Sequence, residues 1–486
     1  MSVLKIVEPT RLLIPEVTDQ IKSLLTYDDQ SVRYQIHRLK ANARYGKSDW
    51  AQERIESLQA QVKKTLLFKD KEDNYYTYSG LASYLQSVLK CEIEDLVEVP
   101  EPGVVPFKNP IEFELRDYQK EAVEKLIRAR HAAAELPTGA GKSQIILHLC
   151  FELGLKAVIV APLKSIAEQL YNEFVFRFGQ QYVGMYGGGK KKADKLFTIA
   201  VAQSMVNIEK GSELYSQLQS DTKVLIFDES HVTPAETFEK LCMGIFRYCP
   251  YRFFLSATQT RIDGGELLLK GIIGPIVCSR TYQDLVKDGH LSQGVFKVFN
   301  VAGPMQNSSD PKREVQNQLF NNPAVNRLAA DIATKAVNIA NRPTLILIEE
   351  FKQFSILKNY IDIPFEFVHG GIPADAKNVI PQEYWKCDKQ AAIDRFNKGE
   401  TKLLIGTSAI STGVDLKPTQ CIIYLQGGKS EIKVRQSIGR GTRVVPGKKD
   451  FWVVDFSVST SRMMQKHLTE RAKIYSEMGT VEYYGF

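Results

Sequence analysis

Two short stretches of the chain hold residues that handle phosphate. The first is ELPTGAGKSQ at 135–144. Gly139 and Gly141 let a backbone turn tightly and aim its N–H groups at an anion, beside what reads as the start of a helix. In such a loop Lys142 would reach the β- and γ-phosphates of a nucleotide, and the Ser143 hydroxyl would ligate Mg²⁺. The strict pattern asks for another glycine at 136, where this chain has Leu136, so the loop alone says little more than NTPase. The second stretch is LIFDESH at 225–231, an apolar run ending in adjacent carboxylates. Mg²⁺ takes few carboxylates and keeps waters and phosphates, so Asp228 suits it, directly or through water. Glu229 is then placed to orient or deprotonate an attacking water. Paired acids at a strand end are common on surfaces. The loop and the acids together are far more specific than either.

Such groups need strands that end at the site. HAAAEL (131–136) reads as a strand entering the loop, and SQIILHLC (143–150) as a helix leaving it. KAVIVAP (156–162), LFTIAVAQ (196–203), KVLIFDES (223–230) and RFFLSAT (252–258) look like buried parallel strands with helical patterns between them. A second series follows: TLILIEE (344–350), FEFVHG (365–370), KLLIGTS (402–408), CIIYLQ (421–426) and FWVVDF (451–456). Two successive βα series predict an α/β fold class with two doubly wound domains in tandem. VPEPGVVPFKNP (99–110) has linker composition, and VAGPMQNSSDP (301–311) has loop composition. The expected organisation is an N-terminal accessory α+β domain over 1–100, a linker over 101–113, one α/β domain over 114–295 and a second over 296–486. SRMMQKHLTERAKIYSEM (461–478) is expected as a helical tail.

The chain has 486 residues, 44% hydrophobic and 24% charged, which is ordinary for a globular protein with more than one core. No apolar run is long enough to span a bilayer, and the charged, proline-containing start gives no leader. Seven cysteines without a C-x-x-C pair predict reduced thiols and a cytoplasmic protein, not a disulfide framework or zinc site. A net charge of +7 permits nucleic-acid binding without demanding it. Residues 31–71 are the basic stretch, with Arg33, Arg38, Lys40, Arg44, Lys47 and Arg54 among them, and Tyr34, Tyr45, Trp50 and Phe68 interleaved. A solvated surface and a phosphate-contacting one remain equally open there.

LPTGAGKS, DESH, SAT (256–258), IGTSAISTGVDL (405–416) and QSIGRGTR (436–443) stand in the order of motifs I, II, III, V and VI of the superfamily 2 helicases. The chain resembles that family from about 114 to 456. The resemblance accommodates Leu136, because the family relaxes that glycine. It implies two tandem RecA-like domains with parallel sheets and ATP bound between them. Pro137, Thr138, Gly139, Ala140, Gly141, Lys142 and Ser143 would surround the phosphates, with Mg²⁺ held by Ser143 and Asp228. Gln119 of LRDYQ (115–119) would read the adenine edge with help from Arg116. Gly413 and Asp415 would approach the nucleotide across the cleft. Arg440 and Arg443, three apart on an expected helix and so on one face, would act as arginine fingers, with Gln436 on the same helix near the hydrolytic water. Lys164, Gln203, Ser204 and Thr407 would meet a nucleic-acid backbone. Ser437 departs from the family, which often has a basic residue there.

DESH and GAGKS are similar to the DNA-repair branch that holds XPB, RecG and phage recombination helicases, as are MYGGGKKKADK (185–195) and the basic, aromatic N-terminal region. The implied activity is ATP-dependent unwinding or branch migration of forked and Holliday-type DNA in recombination, repair or replication. A monomer is expected, with DNA and other recombination or replication proteins as partners and no membrane. The alternatives are a restriction-type translocase motor whose nuclease would be a separate partner, an RNA helicase, and an annealing protein gated by ATP.

Overall fold

The computed structural model describes residues 3–43, 49–105, 108, 114–230, 233, 235–258, 266–304, 308–407, 410, 416, 418–445 and 447–485. The chain divides into two compact units, 1–137 with 141–279, and 280–486 with 138–140.

The first unit opens with β1 (Leu4–Glu8), β2 (Arg11–Leu13), β3 (Thr26–Asp28), β4 (Lys63–Thr65), β5 (Phe68–Lys69), β6 (Tyr75–Tyr78) and β7 (Ile93–Asp95). Five of these form one sheet in the order β5-β6-β2-β1-β7, while β3 and β4 pair separately. Between β3 and β4 two helices, Gln30–Ala43 and Asp49–Gln59, bury Val32, Ile36, Ile55 and Leu58 against each other. Apolar residues four and three apart face the partner helix, so Arg33, Tyr34, Arg38 and Lys40 are left facing solvent. Tyr34 keeps 70% of its surface exposed.

This N-terminal region is not a bead on a string. Its core residues Leu12, Leu81 and Leu85 belong to the same apolar cluster as Phe254, Leu269 and Ile272 of the α/β layer. The seam also carries polar bonds. Tyr78 donates to Glu239 Oε1 at 2.6 Å, and Arg247 meets Glu8 at 2.7 Å. Gly80 lies so close to the helix Glu266–Ile273 that a Cβ would stand 2.4 Å from Gly271 O, which only glycine permits.

The α/β layer of this unit contains β8 (His131–Glu135), β9 (Ala157–Ala161), β10 (Val183–Gly187), β11 (Lys190–Lys191), β12 (Phe197–Val201), β13 (Val224–Asp228), β14 (Tyr251–Ser256) and β15 (Ile276–Ser279). Their order is β11-β10-β12-β9-β13-β14-β8-β15. Every pair is parallel except β10 with β11. Strands β9, β12, β13 and β14 are buried along their whole length, as continuous apolar runs covered on both faces require.

Among its described residues the second unit has seven strands: β16 (Gln293–Val301), β17 (Thr344–Ile348), β18 (Glu366–Val368), β19 (Leu403–Gly406), β20 (Cys421–Leu425), β21 (Asp450–Val458) and β22 (Gly479–Tyr484). They form one all-parallel sheet in the order β18-β19-β17-β20-β21-β16-β22. The α/β expectation holds in both units. The tail 461–478 is a helix, Arg462–Met478, and it leads into β22, which the sequence did not announce. Arg471 of this helix is buried against Asp455 in a bidentate pair of 2.7 and 3.0 Å, and Tyr475 donates to the same carboxylate at 2.7 Å. A charge pair this deep persists only when all its lone pairs and N–H groups are used.

Candidate functional site

The first unit brings the phosphate-handling residues together by strand order. β14 lies between β8 and β13, so the strand ends carrying the glycine loop, SAT and DESH stand side by side, with Glu135 beside Ser256 and Leu255 beside Asp228. Leu136 is fully buried, and its N–H donates to Ser256 O at 2.8 Å. The position where a glycine was missing therefore continues the sheet, and the turn begins only after it. Gly139 and Gly141 take φ of +89° and +78°, the left-handed backbone that glycine adopts without cost. Gly141 is also the N-cap of the helix Lys142–Leu153, which places Ser143 in the first turn, where backbone N–H groups lack helical partners.

Lys142 is 9% exposed, and its ammonium donates to Leu136 O at 3.2 Å and meets Glu229 Oε1 at 3.1 Å. Asp228, next to it, is buried, and its Oδ1 has no hydrogen-bond partner among the described residues. Burial, followed by the charge of Glu229 and opposed by Lys142, pushes the Asp228 carboxyl up to about 7. An orphaned carboxylate oxygen in that setting is what a hard cation would satisfy. Glu229 itself, just past β13, has φ of +50°, unusual for a residue with a Cβ. Gln119 is buried beside the loop. Its Oε1 accepts from Arg116 N at 2.9 Å, and a Cβ on Gly141 would lie 2.5 Å from its Nε2. The Arg116 side chain is exposed and bonds the Tyr118 hydroxyl at 3.2 Å.

Lys164, Gln203 and Ser204 gather elsewhere on the same sheet. Lys164 starts the helix Lys164–Phe178 after β9, and Gln203 and Ser204 lie in the helix Ala202–Val206 after β12. Neighbouring β10 ends in Gly187, Gly188 and Gly189, all with positive φ. A Cβ on Gly187 would meet Ser204 Oγ at 3.1 Å, and one on Gly188 would meet the Lys164 stem at 2.7 Å. The glycine turn is thus the floor on which Lys164 and Ser204 rest, and Lys190 to Lys192 continue from it exposed, with the Lys190 ammonium over the Tyr171 ring.

In the second unit Gln436 lies on the helix Glu431–Ile438. The expectation that Arg440 and Arg443 share this helix is corrected. Gly439 caps it, and both arginines follow in a turn. Gly441 explains the exit, since it packs flat on Phe451, where a Cβ would fall 2.4 Å from the ring. The helix is anchored by Arg435, which bonds Glu431 at 2.8 Å and also pairs with Glu477 of the C-terminal helix. Ser437 is buried and donates to Gln426 Oε1 at 3.4 Å, so a basic side chain would not fit unaltered at this departure from the family. Thr407 is buried just past β19. Gly413 and Asp415 lie outside the described residues, as do Arg44, Tyr45 and Lys47.

Sequence reasoning missed Lys448 and Ser292, which bond the backbone of the arginine turn. Nothing in their residue type or spacing marks them. Among the described residues no helix is long and apolar enough to cross a membrane.

Two family models match the chain: "Type III restriction enzyme, res subunit" over residues 112–261, and "Helicase conserved C-terminal domain" over 329–445. The chain is similar to the DNA 3'-5' translocase XPB2 of Sulfurisphaera tokodaii, with 24% identity over 82% of this chain and 94% of the relative. It is also similar to the ATP-dependent DNA helicase uvsW of Enterobacteria phage T4, with 23% identity over 67% of this chain and 65% of the relative. Among solved structures, Mss116p bound to ssRNA and AMP-PNP matches with a TM-score of 0.52 and 16% identity, over 77% of this chain and 75% of that one, a likeness of fold. Two RecA-like domains, the ordered motifs and these matches lead to one conclusion: the chain resembles the ATP-driven superfamily 2 helicases, and among them UvsW and XPB.

Proposed function

We propose that the protein is an ATP-dependent DNA translocase that unwinds or branch-migrates forked and four-way DNA. The observation that carries this reading is the pairing, on one sheet, of a phosphate site built around Lys142, Asp228 and Glu229 with a second face built on the Gly187–Gly189 turn. The first suits a nucleotide and the second suits a phosphate chain. DNA is favoured over RNA because XPB2 and uvsW, each similar over two thirds or more of this chain, are named for DNA.

Lys142 neutralises Glu229 at 3.1 Å. An incoming γ-phosphate competes for that ammonium, and Lys142 exchanges one anion for another. Glu229 is then released to accept the proton of the attacking water. Gln119, placed against Gly141, would hold the base side of the nucleotide. Asp228 Oδ1 and the Ser143 hydroxyl fit Mg²⁺, which when bound would neutralise charge on the phosphates. Arg440 and Arg443 would stabilise the charge that grows in the transition state, and Gln436 would assist at the water. Gly413 and Asp415 are assigned to the nucleotide by their motif alone, and Thr407 to the nucleic-acid backbone. In the N-terminal region the solvent-facing Arg33, Arg38 and Lys40 would add phosphate contacts, with Tyr34 as a stacking surface at a branch.

ATPase stimulation by linear single strand, linear duplex, fork, four-way junction and matching RNA tests the proposal. Forks and junctions should stimulate most. Stimulation by RNA alone would sink it. Equal stimulation by all DNA forms would favour a restriction-type motor instead, the reading that the match over 112–261 supports.

A further inference from the structure

The turn carrying Arg440 and Arg443 has lost its helix, yet none of its central carbonyls is idle. Lys448 Nζ donates to Gly441 O, to Arg443 O at 2.9 Å and to Thr419 O at 2.8 Å. Ser292 N donates to Thr442 O at 2.8 Å, and Ser292 Oγ donates to Arg443 O at 3.0 Å. Ser292 is fixed in turn by the Tyr282 hydroxyl, which donates to Ser292 O at 2.7 Å. Three successive carbonyls, 441 to 443, are thus tied by two residues that lie outside the arginine motif. The third bond of Lys448 reaches Thr419, which precedes β20, so one ammonium also ties the turn to the segment that follows 405–416.

An ammonium has three N–H groups and here meets three carbonyls. It is also an expensive choice. Lys448 is 9% exposed, and burial, reinforced by Arg342 and Arg443 against Asp450, pushes its pKa down to about 7. A position that needed only packing would be served by an apolar side chain of similar length, at no cost in desolvation. What an apolar side chain cannot do is hold the carbonyls of Gly441 and Arg443, which with the Ser292 bond to Thr442 O fix the peptide planes on either side of Arg443 and so the direction in which it leaves the backbone.

We infer that Lys448 and Ser292 are positioning residues that set the arginine turn for ATP hydrolysis. The inference rests on Arg440 and Arg443 serving as the arginine fingers proposed above. Lys448 and Ser292 bond the main chain of the turn. They act through the backbone, so their loss should slow the chemical step and spare ATP capture, which the loop at Lys142 provides.

The test is a mutant cycle on the full chain, reading DNA-stimulated kcat and the KM for ATP. Lys448→Met should lower kcat about 10-fold or more with KM changed less than about threefold. Ser292→Ala, which removes one hydroxyl, should lower kcat by roughly threefold. In an Arg443→Ala background Lys448→Met should add less than about twofold, because the group it positions is already gone. Full, multiplicative losses in that background, or wild-type kcat in Lys448→Met, would overturn the inference. If Lys448→Met melts early, Ser292→Ala in the same two backgrounds decides by the same criterion. Failure of the finger assignment is visible separately, since Arg440→Ala and Arg443→Ala would then leave kcat unchanged.

Discussion

The phosphate-loop end of the first unit and the arginine turn of the second are held by different means. In the first, side chains hold side chains. Lys142 pairs with Glu229, burial raises Asp228, and Gln119 leans on Gly141. In the second, the groups that matter are carried by a turn whose backbone is tied from outside by Lys448, Ser292 and the packing of Gly441 on Phe451. Electrostatic pairing makes a site that responds to an arriving anion. Backbone tethering makes one that presents a fixed direction.

Breaking the tethered side should be costly. Arg443→Ala should lower DNA-stimulated kcat about 1,000-fold if it acts as a finger, measured by phosphate release under saturating ATP. A loss below about tenfold would mean that the turn contributes geometry without charge. On the paired side, Glu229→Gln should lower kcat roughly 100-fold while ATP binds as well or better, because Lys142 no longer has an internal anion to leave. Weakened ATP binding in that variant would contradict the exchange of Lys142 between anions.

The Asp228 carboxyl sharpens the contrast at a smaller scale. Its pKa in the folded chain, about 7, is above the ordinary 3.8, so the folded state binds more protons between those values. Stability must then fall as pH rises through that window, and the loss is complete above it. Asp228→Asn should abolish hydrolysis yet raise the melting temperature of the nucleotide-free protein at pH 8 by about 1–4 °C. The gain should shrink toward pH 4, and an unchanged or lower melting temperature at pH 8 would refute the buried-charge account. Smallest of all, Arg38→Ala and Lys40→Ala should each reduce the slope of log affinity for junction DNA against log salt by about 1 if each meets a phosphate. Substitution is the cleaner probe there, because removing residues 1–100 would also uncover Leu269 and Ile272 of the shared core.

What could be read from the sequence follows the same division. ELPTGAGKSQ and DESH are legible because the residues that do the chemistry also hold the site, and their types and order are all that is needed. The strands behind them are legible because each is buried on both faces and so is apolar throughout. β16 escaped because it alternates: Gln293, Val295, Lys297 and Phe299 are only half-buried, while Phe296 and Val298 are fully buried. The positive φ of Glu229 left no mark either, since no glycine stands there to signal it. For the arginines, three-residue spacing predicted a shared helix face, but the packing of Gly441 on Phe451 ends the helix first, a tertiary effect no local pattern contains. Lys448 and Ser292 are invisible for a related reason. They bind main chain, and main chain has no sequence.

The most direct test of the central claim, that this loop drives a nucleic-acid motor, is Lys142→Ala assayed for ATP hydrolysis and junction binding in the same buffer. Hydrolysis should fall to background, at least about 1,000-fold, while the Kd for DNA stays within about threefold, because Lys164, Ser204 and the glycine turn follow other strands of the sheet, β9, β12 and β10. Hydrolysis that survives the substitution would contradict the account.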